Sequence, residues 1–119
     1  MGGEGGEGGE GGVGEVRQIW IGLVQVAPLP GHDVFDGNAG AFVNAVALAS
    51  SVADYQSAVS VPLSDLHLFA IEFENVEPLA TRIRERGPLD DDLMALAVEG
   101  RRMNAACFHN FHTYPHADA

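Results

Sequence analysis

The chain has 119 residues, 46% of them hydrophobic, with 17 acidic side chains against six basic ones, all arginine, and a formal charge of −11. That length suits one domain whose core needs neither disulfides nor metal. The single cysteine, Cys107, excludes an intramolecular disulfide and reads as a small apolar residue in a reducing cytosol. So negative a surface argues against nucleic acid as a partner. No stretch reaches the roughly 20 apolar residues of a membrane span, and the N-terminus lacks the layout of an export signal. The expectation is a cytoplasmic protein with no membrane and no nucleic-acid partner.

Residues 1–14 repeat Gly-Gly-Glu three times and end glycine-rich. A composition of this kind buries no apolar surface, so it reads as a disordered tail ahead of one folded domain at 15–119. From Val16 to Val26 the chain reads VRQIWIGLVQV, a strand with Ile19, Ile21 and Leu23 on one face and Gln18, Trp20, Gly22 and Val24 on the other. Both faces are largely apolar, which implies cover on two sides. Residues 27–40 are dense in Pro, Gly, Asp and Asn and read as a connecting loop. Asp33, Asp36 and Asn38 do not have the spacing of a calcium loop, so turns are expected there.

Ala41 to Ala49 forms the second strand, with Phe42, Asn44, Val46 and Leu48 opposed to a face of alanines and Val43. Ser51-Val52-Ala53-Asp54 has the form of a capping box and opens a helix, which Pro62 is expected to kink or break near Ser60. From His67 to Glu74 strict alternation puts His67, Phe69, Ile71 and Phe73 on one buried face and Glu72 and Glu74 on the other. Asn75 or Glu77 then caps a helix over residues 78–86, which Gly87-Pro88 stops. The run Leu89-Asp90-Asp91-Asp92 opens a further helix, where the acids favour the positive end of the helix dipole, and Gly100 is expected to close it. The arginines at 82, 84 and 86, and at 101 and 102, suit helix C-termini rather than a phosphate-binding stripe. Ala105 to Tyr114 is the last strand.

The resulting order is β-β-α-β-α-β, an α+β two-layer sandwich of about four strands, ferredoxin-like in character, with some parallel pairing and with helices on one face. If Ile19, Ile21, Phe69, Ile71 and Phe111 face those helices, alternation leaves Trp20, Asn44, Glu72, Phe108, Asn110, His112 and Tyr114 as an uncovered face. Large aromatics mixed with polar heads mark an interface or a pocket. The first expectation is therefore a ligand-binding or protein-interaction module that forms a homodimer through this face. The alternative is a small enzyme with a pocket on the same face. In it His112 is the general acid or base, Glu72 raises its basicity, and Tyr114 orients the ligand.

This second picture resembles the dimeric α/β-barrel proteins, a group that includes small cofactor-independent monooxygenases acting on aromatic polyketides. The resemblance lies in size, element content and the mixed sheet face, and it implies an oxygenase or isomerase working without a cofactor. No metal site is expected either, because His109 and His112 point to opposite faces of a strand. Cys107 and His109 share a face, but no oxyanion motif accompanies them.

Overall fold

The structure is a computed structural model that describes residues 16–116. The Gly-Gly-Glu tail, expected to be disordered, and residues 117–119 lie outside the described residues. The elements are β1 (Gln18–Pro28), β2 (Gly40–Ala49), α1 (Val52–Asp65), β3 (Leu68–Pro78), α2 (Leu79–Arg86), α3 (Asp91–Met103), β4 (Cys107–Phe108) and β5 (His112–Tyr114). The two helices expected after the third strand are both present, and the last expected strand is split into β4 and β5. The sheet runs β3-β1-β2-β4, and β5 also pairs with β2.

Every pairing is antiparallel, which corrects the expected parallel component. The crossover from β2 through α1 to β3 does return in the same direction, but β1 lies between the two strands. Helices on one face is also overturned. Cross-strand partners share a face, and the register pairs Ile21 with Val46 and Val24 with Val43. Val24, Val43, Ala45 and Ala47 pack with Tyr55, Val59 and Leu63 of α1. Ile19, Ile21 and Val46 pack instead with Ala97 and Leu96 of α3 and Leu79 at the start of α2. The sheet is thus sandwiched, as the double-sided apolar pattern of β1 requires.

β3 departs most from its sequence reading. Its ladder with β1 pairs Gln25 with Glu72 and Val26 with Ala70, so Ile71 is an extra residue that resets the alternation. Leu68 and Phe73 therefore turn to α1, while Phe69 and Ile71 stay 43% and 48% exposed. His67 lies ahead of the strand, at φ 63°. The strand then continues to Pro78, and neither Asn75 nor Glu77 caps α2. Asn75 takes the left-handed conformation, and Glu77 pairs with Arg82. Arg82 also donates to the Asn75 carbonyl at 2.8 Å, so it fastens α2 to the end of β3 rather than serving a helix dipole.

Two further boundaries move. Half of the capping box forms: the Ser51 hydroxyl accepts from the Asp54 amide at 3.1 Å, while the Asp54 carboxylate reaches past the N-cap and accepts from the Ser50 amide at 2.9 Å. The helix then runs through Pro62 to Asp65 without a break, because Pro62 falls within the final turn and removes a single backbone bond. α3 likewise passes Gly100 and ends at Asn104, which is left-handed at φ 52°. Gly100 instead permits close approach to Val46, whose Cγ2 lies 3.4 Å from where a Cβ would sit.

α1 is seated by one side chain. Tyr55 is fully buried, and its phenol donates to the Ala45 carbonyl at 2.9 Å. Its ring occupies the space left by Gly22, where a Cβ would come within 2.9 Å of the phenol oxygen and of Val76 Cγ2. Gly22→Ala is therefore expected to cost about 1 to 3 kcal/mol in urea unfolding, and less in a Tyr55→Phe background that lacks the opposing oxygen.

Burial holds the Tyr55 phenol protonated well above its ordinary pKa of 10.0, with the Arg82 charge pulling weakly the other way. The folded state keeps a proton that the unfolded chain releases, so stability is intact below pH 10 and declines above it. The slope approaches about 1.4 kcal/mol per pH unit. Tyr55→Phe should flatten that alkaline decline in denaturant titrations at pH 9 to 11, while losing about 1 kcal/mol of hydrogen-bond stabilisation at pH 7.

Candidate functional site

The apolar cluster beneath α2 and α3 stops at Ile21 and Val46. Beyond it, the same sheet face continues without helical packing through Leu23, Gln25 and Ala27 of β1 and Phe42 and Asn44 of β2. The register places Glu72, Gln25, Phe42 and His112 in one row across four strands. Leu23 and Phe42 are only half-buried, and Phe69, Glu72 and His112 are exposed.

Tyr114 organises this open half. It pairs with Gly40, and a Cβ on Gly40 would sit 2.6 Å from its phenol oxygen, so the ring lies across bare backbone. The Gln25 side-chain amide donates to that oxygen at 2.8 Å, and Phe42 packs against the ring at a centroid distance of 5.3 Å. A tyrosine covering a strand glycine supplies the packing that the glycine lacks.

The expected site residues divide between two faces. Asn44, Glu72, His112 and Tyr114 share the open half. Trp20 and Phe108 pack with the α1 cluster on the other side, opposite Ala47 and Ala45 respectively. The Trp20 indole nitrogen is buried there without a hydrogen-bond partner among the described residues. Asn110 is exposed between β4 and β5. The His109 amide still bonds the Asn44 carbonyl at 2.9 Å, and the strand breaks beyond it because an extra residue intervenes before His112 and Phe111 turns into the α1-side cluster, 6.1 Å from Phe108 and 5.8 Å from Phe35. That excursion defeats strict alternation and explains why Phe108 and His112 part company.

His112 and Glu72 occupy opposite ends of their row, three inter-strand spacings or about 14 Å apart. The expected acid-base pair is therefore not assembled within one chain. Cys107 faces the α3 cluster, and burial, with the Glu99 charge added, raises its thiol pKa. A thiol so placed is a poor nucleophile. No group of three or more metal-binding side chains occurs among the described residues. Asp33 is occupied in a turn, where its carboxylate accepts from the Gly37 amide at 2.6 Å.

Sequence reasoning missed a cavity of about 430 Å³ at the end of the open half. Ala27 and Phe69 form its sheet side, the connection from Leu29 to Ala39 walls it, and His32, Asp33, Asn38 and His116 supply polar groups. The loop is pinned by the Leu29 amide, which bonds the His67 carbonyl at 2.8 Å, and by parallel stacking of the His32 and His67 rings at 4.1 Å. The density of turn residues between two strands was the only sequence signal for it.

Comparison of the chain with protein-family models, curated proteins and solved structures finds no significant match. Gly40→Ala should be the more damaging of the two strand-glycine substitutions, at about 3 kcal/mol or more, because the added methyl meets the Val26 backbone carbonyl as well as Tyr114. Thermal melts of Gly40→Ala beside Gly22→Ala check the ranking.

Proposed function

We propose that this protein is a non-catalytic, cytosolic binding module that forms a homodimer through the open half of its sheet, with the loop-walled cavity taking a small ligand at the edge of that contact. The row Glu72, Gln25, Phe42 and His112 carries the reading, because it is self-complementary. A second copy turned about a two-fold axis along the strands sets the carboxylate end of one row over the imidazole end of the other. The central Gln25 and Phe42 then lie near the axis, as an isologous interface requires. Leu23, Phe42, Phe69 and Tyr114 supply the apolar part, and the polar Glu72 and His112 ends form the rim. The enzymatic alternative, a cofactor-independent oxygenase or isomerase, draws less support, since its acid and base come together only between copies.

Size-exclusion with light scattering at micromolar concentration should give a dimer, and Phe42→Glu a folded monomer. Glu72→Gln and His112→Ala should each weaken association about three- to ten-fold, the loss expected for one hydrogen-bonded rim contact. The double variant should be no weaker than the worse single one, since both changes remove one shared contact. A wild-type monomer would remove the proposal.

A further inference from the structure

A second cavity, of about 300 Å³, lies at the far end of β2 on the α1 side, between Ala58, Val61, Pro62 and Asp65 of α1 and the segment Asn104 to Ala106. The residues at 58, 61, 62 and 65 share one helix face, and Ala58, Val61 and Pro62 with Ala47, Ala105 and Ala106 make a lining of short apolar side chains, with Asp65 at its border. Small residues here leave a space that larger ones would fill. The volume is at the lower end of that of ligand pockets, which run from about 300 to 1,000 Å³.

Arg17 also borders this cavity, and its guanidinium is held in place. One terminal nitrogen donates to the Leu48 carbonyl at 3.4 Å and to the Asn104 side-chain oxygen at 3.1 Å. Both acceptors are neutral, and both bonds use the same nitrogen. Among the described residues the charge and the donors on Nε and the other terminal nitrogen have no further partner, and these form the planar fork that matches a carboxylate. Arg17 and Asp65 border the same space without forming an ion pair. The result is a pre-positioned cation beside an apolar recess in a strongly acidic chain.

We infer that this cavity is a binding site for a small monocarboxylate with a compact apolar body, its carboxylate on Arg17 and its body against the four alanines. Asp65 selects against a second negative charge, so dicarboxylates are disfavoured. The site is separate from the open half of the sheet and does not depend on dimerisation.

Benzoate is the probe, read on the alanine methyl signals in carbon-proton NMR of the full chain. Titration to the millimolar range should move the methyls of Ala47, Ala58, Ala105 and Ala106, and benzyl alcohol, its neutral counterpart, should move them at least ten-fold less effectively. Arg17→Gln should weaken benzoate binding by ten-fold or more, the loss expected for charge-assisted hydrogen bonds, with the melting temperature retained. Ala58→Leu should block binding by filling the recess, and Asp65→Asn should bring a dicarboxylate such as phthalate closer to benzoate. Unmoved methyls, equal response to benzyl alcohol, full binding by Arg17→Gln, or shifts confined to residues 29–39 would each overturn the assignment.

Discussion

Two tyrosines lying on two strand glycines hold this fold in register. On one face Tyr55 rests over Gly22 and bonds the Ala45 carbonyl, which fixes how closely α1 approaches the sheet. On the other face Tyr114 lies over Gly40 and receives a hydrogen bond from Gln25, which ties the short strand β5 across β2 to β1. In both cases a glycine that would weaken an isolated strand is compensated by an aromatic ring. The two devices act on opposite faces, so the sheet is constrained from both sides by side chains belonging to elements that pack on it or pair at its edge.

Their consequences differ. On the α1 side the core is continuous from Val24 and Val43 to Leu63 and Leu68. The other side is covered by α2 and α3 only over its first half, because the cluster there stops at Ile21 and Val46. Everything proposed for a partner follows from that incomplete cover. Leu23 and Phe42 lie just beyond the helices, and Tyr114 provides a partly apolar platform whose geometry is set by Gly40.

Much of the architecture was legible in the sequence, and the failures have identifiable causes. The mixed α+β content follows from periodicity and turn residues, and the Ser51 N-cap of α1 follows from the Ser-x-x-Asp spacing. β1 carried apolar residues on both faces and so already implied cover on two sides, a signal that the one-sided sandwich expectation contradicted. The expected faces of β3 fail because a bulge at Ile71 moves Glu72, Phe73 and Glu74 to the opposite faces, and nothing in an alternating apolar run announces an extra residue. Between β4 and β5 the excursion at Phe111 did the same, separating Phe108 from His112. Of the candidate residues, Asn44, Glu72, His112 and Tyr114 lie on one face of the sheet, while Trp20 and Phe108 pack against the α1 cluster on the other. The tyrosine-glycine pairs and Arg17 escaped notice because their meaning depends on contacts between distant segments.

The account turns on which surface meets a second copy of the chain. An isotope-filtered NOE experiment on a sample mixing labelled and unlabelled protein reads that directly. Cross-peaks between copies are expected among the side chains of Leu23, Phe42, Phe69 and Tyr114. Cross-peaks arising instead from the outer surfaces of α1 or α3, or none at a concentration where the protein is dimeric, would contradict it.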